Sequence, residues 1–512
     1  MHWRRAFWSA QILVDGVTAA AIWTLVLVVE IGPTNVGRVA TRSWMLVALA
    51  TVATLVLLWR RLLYTGFLSP ARSEEGLAVL TATGLATSIV AIASNLLDWP
   101  VGAWELVLGG SLFYVVRSLV RGTLRELTGR ERILHDDLDV IIVGVGEDAL
   151  ELYELMIDHP ESGLRPLGVV GDAEVAERFG LTPLLLGTTD RVVDVLRRNN
   201  ADAALITPTG FRGPAFRRLS RTIQRSGLPV MLSNGVSRQP EGGFSVRALS
   251  HEPITVLTPA RTGRRFGLAA KRLMDVVASL VLIVVASPLL VLVAAVIRLE
   301  SKGPVLYRST RVGFGGEKFE MLKFRTMIDG ADQQHASLAA KNERTGPIFK
   351  ISSDPRVTRF GKLMRDTSID EIPQLINVIR GQMSLVGPRP ALAAETEAFD
   401  AELQNRMRMK PGITGLWQVE ARENPSFSAY RRLDLHYIEN WSSVYDLGIM
   451  IATAERVLIS LALIPLRPFV QRGSDRIRSR ASDVIDLRDI VQVVIDDVDA
   501  PIPGIRRAAT EV

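Results

Sequence analysis

Residues 271–302 read KRLMDVVASLVLIVVASPLLVLVAAVIRLESK, and this stretch decides the architecture. Leu273 to Ile297 is an apolar run interrupted only by Asp275 near its start and by small polar residues. Its length alone predicts a helix that crosses a bilayer, for which about 20 residues suffice. The flanks point elsewhere. Arg264, Arg265, Lys271 and Arg272 precede the run, and Arg298 and Lys302 come after it. Basic residues collect on the cytoplasmic side, so both ends read as cytoplasmic. Ser287-Pro288 sits just past the middle. Pro288 has no N–H to give the carbonyl of Val284, and its ring favours a kink. The Ser287 hydroxyl is placed to satisfy that carbonyl, which lipid cannot do. The expectation is a re-entrant membrane helix over 265–300, entering and leaving by one face, with Ser287 and Pro288 at the kink.

Upstream lie four more apolar stretches, Phe7–Val29, Trp44–Trp59, Leu77–Leu97 and Val101–Val120. No small-residue cleavage site follows the first, so it reads as an anchor and not a removable signal. Arg4, Arg5, Arg60, Arg61, Arg72, Arg117, Arg121, Arg125, Arg130 and Arg132 fall on one side, and Arg38 and Arg42 on the other. That asymmetry predicts a four-helix transmembrane bundle over 1–130 with both ends cytoplasmic. Asp15 and Glu105 are expected at the interface. The whole chain agrees with a membrane location: 512 residues are 48% hydrophobic, with a mean hydropathy of +0.21. Such apolar content excludes a disordered or collagen-like protein. The absence of cysteine excludes disulfides, Cys-based metal sites and a Cys nucleophile. A net charge of +6 suits anionic headgroups or phosphorylated substrates and gives no case for nucleic acid.

From Leu138 the pattern becomes strand and helix in alternation. An apolar run ends in Gly144-x-Gly146-x-x-Ala149, and Leu167–Val170 ends at Gly171-Asp172. Ala203–Ile206 and Pro229–Leu232 read as later strands, with a helix over Arg191–Arg198. This predicts a Rossmann-like α/β domain with a parallel sheet over 131–250. The glycines permit close approach of a pyrophosphate, and Asp172 stands where a ribose contact belongs. A lone fingerprint is weak evidence, and a sheet that binds nothing and serves regulation or dimerisation is the favoured reading.

Beyond residue 300 polar motifs crowd together: Lys323-Phe-Arg-Thr-Met327, Arg365-Asp-Thr-Ser-Ile-Asp-Glu-Ile-Pro-Gln-Leu375, Gly387-Pro-Arg-Pro390 and Lys410–Trp417. No His pair at metal-ligand spacing, nucleophile elbow or Walker loop is present. Carboxylate and Arg/Lys chemistry remains, which suits phosphate groups held by a divalent metal. Pro373 is tolerated near a first helical turn, so a helix is expected to start close to Ser368–Asp370. Asp370 and Glu371 would then sit at the positive end of its dipole. One carboxylate can attack phosphorus while its neighbour holds Mg²⁺ or orients a group. A capping box, with Ser368 as cap and Glu371 reaching back, is the plainer alternative. Arg325, Arg365 and Arg389 stand in settings that suit bidentate phosphate recognition.

Taken together these motifs resemble the bacterial sugar transferases, polyprenyl-phosphate phosphoglycosyl transferases with one catalytic membrane helix. The matching residues are Lys271–Asp275, Ser287-Pro288, Arg311-Val-Gly313, Lys323–Met327, Thr367–Leu375, Ser384–Pro390, Lys410–Val419 and Leu433–Tyr437. The front end is similar to the long form of the family, the undecaprenyl-phosphate galactose phosphotransferases. The resemblance implies that a UDP-sugar gives its sugar-1-phosphate to a polyprenyl phosphate, releasing UMP, at the cytoplasmic face of a bacterial inner membrane. Asp370 matches the nucleophile and Glu371 the residue that positions Mg²⁺. Lys323, Arg325, Arg365 and Arg389 match polar positions around the phosphates, and Asp434 falls in a further motif counted with substrate binding. The catalytic α/β domain would span 301–470, followed by a tail over 471–512. A homodimer through the Rossmann-like region is a further expectation. Two departures stand out: Arg308-Ser309 before Arg311, and Glu420-Ala421-Arg422 where Ser-Gly-Arg is common. They bear on which sugar is donated more than on the reaction. Leu447–Leu466, carrying Glu455 and Arg456, reads as an interfacial helix.

Two rival functions remain. A membrane-anchored nucleotide-sugar dehydratase or epimerase needs a Tyr-x-x-x-Lys pair, but Tyr153 is followed at that spacing by Ile157. A non-enzymatic assembly scaffold predicts degenerate catalytic residues, whereas Asp370, Glu371 and the surrounding arginines are all present.

Overall fold

The computed structural model describes residues 2–31, 40–61, 72–97, 102–127, 138–158, 164–207, 213–233, 244–249, 252–257, 264–300, 303–328, 330–331, 342, 347, 351, 354–422 and 426–463. The expected tail over 471–512 lies outside them. The chain divides into two compact units, one formed within 1–124 and 239–464, the other within 125–238.

The first unit opens with α1 (His2–Ile31), α2 (Ala40–Arg60), α3 (Arg72–Leu96) and α4 (Ala103–Leu127). Gln11–Val29, Arg72–Leu96 and Ala103–Thr123 are long and apolar enough to cross a membrane, and Trp44–Arg60 is a shorter apolar helix. Their faces divide as lipid requires. Trp23, Leu27, Leu46, Leu58, Leu106 and Phe113 fill the bundle interior, while Leu13, Val29, Ile92 and Trp104 point outward. Asp15 is covered by protein as well as lying near a segment end. It is buried inside the bundle, 3.1 Å from Arg117 Nε, and Glu75 joins Arg121 at 2.9 Å. In a low-dielectric bundle carboxylates persist by such pairing, and here it crosses from α1 to α4 and from α3 to α4.

A β-hairpin, β6 (Phe244–Leu249) and β7 (Glu252–Leu257), belongs to the same unit. Helix α9 (Arg264–Glu300) then runs 37 residues with Pro288 inside it. Its Phe266–Glu300 stretch has the length and hydropathy of a membrane helix and is largely uncovered by protein. Before Pro288, Ser287 Oγ donates to the Val284 carbonyl at 2.7 Å, occupying the acceptor that Pro288 has no N–H to reach. Both ends of α9 are tied to residues beyond 320. At the start Lys271 Nζ reaches the Val386 carbonyl and Asp446, Arg272 donates to the carbonyls of Val378 and Ile379, and Asp275 accepts from Ser384 Oγ and the Leu385 N–H. At its end Glu300 accepts from Thr358 Oγ1 and the Phe360 N–H, and Val293 and Ile297 pack on Phe324 and Met364.

The rest of this unit is β8 (Leu306–Val312), β9 (Lys318–Phe324), α10 (Arg359–Thr367), α11 (Gln374–Ile379), β10 (Ser384–Val386), α12 (Ala393–Glu397), α13 (Ala401–Gln404), β11 (Gly412–Thr414), α14 (Leu416–Glu420), α15 (Phe427–Glu439) and α16 (Ser443–Leu463). Strands β8 and β9 pair antiparallel, and β10 and β11 parallel. Phe319, Met321, Leu375, Val378, Met383, Val386, Leu416 and Tyr437 form the core. Helix α16 is not simply interfacial. Ile449 and Ala452 enter that core, Arg456 donates to the carbonyls of Gln418 and Val419, and Glu455 accepts from Ser118 Oγ and, by a short bond, from Tyr114 of α4. Its charged pair therefore faces protein on both sides, which an apolar count along the sequence does not reveal.

The second unit is a parallel sheet in the order β3-β2-β1-β4-β5: β1 (Leu138–Val143), β2 (Leu164–Val170), β3 (Leu185–Gly187), β4 (Ala203–Ile206) and β5 (Val230–Leu232). Helices α5 (Glu147–Asp158), α6 (Ala173–Arg178), α7 (Val192–Arg198) and α8 (Gly213–Arg225) complete the unit. The near-continuous apolar runs of β1 and β4 fit strands covered on both faces. Strand β3 escapes the sequence pattern because three residues carry no period. Gly144 and Gly146, at φ 128° and 158°, make the turn into α5. Asp172 caps α6, accepting from the N–H groups of Glu174 and Val175. Glu147 and Asp148 occupy the first turn of α5, where their charge opposes a phosphate.

Candidate active site

The Asp370–Glu371 pair is placed by a change of helix type. Thr358 caps the start of α10 through the Gly361 N–H. At the other end Ser368 adopts φ 58°, ψ 17°, a left-handed conformation unusual for a residue with a side chain. The chain reverses there into a single 3₁₀ turn, Ile369–Glu371, and α11 starts only at Gln374. The helix expected to begin at Ser368–Asp370 therefore does not, and Ser368 makes no capping bond with its side chain. Neither a capping box nor a long helix dipole acts on the pair. The charges around it come from side chains.

Lys323, on β9, is the nearest of these. Its Nζ stands 2.7 Å from Glu371 Oε1. Arg365, in the last turn of α10, is held by Thr326 through its Nε at 2.9 Å. Arg422 donates to Ser368 Oγ at 3.4 Å. Asp370 is buried, whereas Glu371 is half-buried. Burial pushes the Asp370 carboxyl up to about 6, with Glu371 adding to the rise and Lys323, Arg365 and Arg422 opposing it. Burial also works against the charge on Glu371, but the Lys323 ammonium, its hydrogen bond, and the charges of Arg422 and Arg389 outweigh it and hold Glu371 below its ordinary range. Two adjacent carboxyls are thus driven apart in proton affinity, the usual sign of different roles.

A second layer carries the remaining residues. Arg389 Nη1 lies 3.2 Å from both carboxylate oxygens of Glu395. Arg311 donates to Ser309 Oγ and to the Pro390 carbonyl, and burial beside Arg389 lowers its guanidinium to about 10. Arg406 pairs with Asp434 at 2.9 Å, makes short bonds to Tyr430 and the Arg389 carbonyl, and lies over the Phe399 and Tyr430 rings. A cleft lined by Gly313, Pro388, Arg389, Arg406 and Pro411 opens beside this layer. Arg325 is buried with its guanidinium against Gly303, where the chain leaves α9. The fold thus gathers Lys323, Arg365, Asp370 and Glu371, brings Arg389 within electrostatic range of Glu371, and sets Asp434 behind Arg389. Arg422 was not singled out in the sequence, although it keeps the arginine of the Ser-Gly-Arg pattern. Arg311 stood in a quoted motif without a role.

The model of the family described as bacterial sugar transferase matches residues 266–460, the span that holds all but the first two residues of α9 and every residue of this site. The exopolysaccharide production protein ExoY of Sinorhizobium fredii (strain NBRC 101917 / NGR234) is 38% identical over 208 residues, 40% of this chain and 92% of that protein. The chain belongs to the bacterial sugar transferase family. This sugar transferase also has relatives matching most of its length. The UDP-galactose-lipid carrier transferase of Erwinia amylovora is 29% identical over 78% of this chain and 84% of its own. The UDP-glucose:undecaprenyl-phosphate glucose-1-phosphate transferase of Xanthomonas campestris pv. campestris is 30% identical over 70% and 73%. With its apolar helices, the sugar transferase is a membrane-associated enzyme.

Proposed function

We propose that this enzyme transfers a sugar-1-phosphate from a UDP-sugar to polyprenyl (undecaprenyl) phosphate, releasing UMP and initiating exopolysaccharide, capsule or O-antigen synthesis. The observation that carries the reading is the buried Asp370 beside a Glu371 held anionic by Lys323. In the first step an Asp370 oxygen attacks the phosphorus that bears the sugar. The bond from that phosphorus to the bridging oxygen breaks, and UMP leaves with the electron pair. In the second step an oxygen of the polyprenyl phosphate attacks the same phosphorus and frees Asp370. Lys323, Arg365, Arg422 and Arg389 counter the phosphate charge in both steps.

Asp370 and Glu371 suit Mg²⁺, which is commonly held by one or two carboxylates with substrate phosphate oxygens and water filling its shell. No cluster of three acidic or His side chains exists among the described residues, so the substrate would complete the shell. Bound there, the ion would neutralise charge on the transferring phosphoryl group, and Glu371 would hold it.

The same reading places the catalytic domain, assigned to 301–470, on the cytoplasmic side of the inner membrane. It makes α9 re-entrant, since both its ends are tied to one body while its apolar middle is open. A homodimer through the Rossmann-like region belongs to this reading, and crosslinking in membranes that yields only monomers would remove it.

The test offers membranes carrying the full chain Mg²⁺, polyprenyl phosphate and one UDP-sugar at a time. UMP released by the wild type and not by Asp370→Asn supports the mechanism. Release of UDP would mean ordinary glycosyl transfer and would overturn it.

A further inference from the structure

The end of α14 meets the first turn of α3, far away in sequence. Glu420 Oε2 accepts from the Arg72 N–H at 3.0 Å. Its Oε1 accepts from the Ser73 N–H at 3.0 Å and from Ser73 Oγ at 2.9 Å. A residue of the catalytic region thus supplies the N-cap of a bundle helix. A carboxylate at a helix N-terminus satisfies orphan donors and meets the positive end of the dipole, so the contact is a strong one for its size.

The contact is also closely fitted. Gly448 passes so near the Ser73 carbonyl that a Cβ there would lie 2.7 Å from it. The other side of the same segment is fixed as well, because Arg456 of α16 holds the carbonyls of Gln418 and Val419. Two residues beyond Glu420 comes Arg422, whose guanidinium reaches Ser368 beside the reactive pair.

We propose that Glu420 is a positioning residue for phosphosugar transfer: anchored on the first turn of α3, it fixes the α14–Arg422 segment so that Arg422 faces Ser368 and the Asp370–Glu371 pair. The bundle then forms part of the catalytic assembly in addition to being an anchor. This rests on the function proposed above.

The test uses the full chain in membranes and reads UMP release against donor concentration. Glu420→Ala lowers kcat about tenfold and moves the donor KM less than about twofold, the pattern of an interaction expressed in the transition state. Glu420→Gln, which keeps one acceptor oxygen for Ser73, recovers part of the loss. Arg422→Ala lowers kcat further, and adding Glu420→Ala to it costs nothing more, as coupled residues require. Ser73→Ala, remote from the substrate and made in case Glu420→Ala misfolds, gives a smaller loss that disappears in the Arg422→Ala background. An unchanged kcat in Glu420→Ala, or losses that multiply with Arg422→Ala, would overturn the positioning role while wild-type turnover leaves the functional reading intact. A wild type that releases no UMP from any UDP-sugar would remove the functional reading and this role with it.

Discussion

Lys323 Nζ lies 2.7 Å from Glu371 Oε1, joining strand β9 to the 3₁₀ turn that carries Asp370 and Glu371. One ammonium therefore serves two carboxylates, holding Glu371 anionic and opposing the burial that raises Asp370. Lys323→Met removes both effects. The expected loss in kcat is about 10²-fold or more, the scale seen when a positioned charge stabiliser is lost. Steady-state UMP release measures it.

The same variant changes the pH profile in a definite direction. Burial already raises Asp370, and in the proposed mechanism the reacting form is the carboxylate, so activity should fall as pH drops through about 6. Without Lys323 the raising influences prevail further, and the acid limb of kcat moves to higher pH. A limb that stays in place, or moves down, would show that Lys323 does not govern Asp370.

Arg406 tests the layer behind the site. It is buried against Asp434, whose carboxyl burial lifts to about 6 against the pull of Arg406 and Arg389. Arg406→Leu leaves that carboxyl buried without its partner, and because it can take up a proton instead, the pH-dependent part of the loss is at most about 1.4 kcal/mol one pH unit above the wild-type folded value. The folded pKa of Asp434 lies above its unfolded value, so its share of stability is present at low pH and lost as pH rises through the folded value. The variant raises that folded value again. The gap between variant and wild type in thermal unfolding should widen above about pH 6 and narrow below it, leaving the pH-independent loss of the Tyr430 and Arg389 contacts.

Membrane topology has a clean assay because the chain contains no cysteine. Phe266 and Leu299, near the two ends of α9, are each 87% exposed. Phe266→Cys and Leu299→Cys should both react with an impermeant maleimide from the cytoplasmic side only. Labelling from opposite sides would make α9 a spanning helix.

Chelation separates metal from side-chain chemistry. EDTA should stop UMP release, and Mg²⁺ should restore it, in the wild type. Turnover that survives thorough chelation would leave Glu371 a role through Lys323 alone.

The membrane segments, the parallel sheet and the motif-bearing third were legible along the chain. Long apolar runs and alternating strand and helix periods are local properties that nothing distant alters. The Ser287 bond to the Val284 carbonyl was legible for the same reason, since it spans one helical turn. Features that join residues far apart needed the folded chain. The pattern around Pro373 pointed to a helix start at Asp370 and Glu371, but Ser368 in a left-handed conformation leads into a 3₁₀ turn there. Asp15 had no partner legible along the chain, and the fold brings Arg117 to it across the bundle. Glu420 stood in the sequence as a departure bearing on donor choice, and its contact with Ser73 is supplied by the fold. A charged side chain takes its role from the partner it finds, and for Asp15 and Glu420 that partner is supplied by the fold and not by neighbours in sequence.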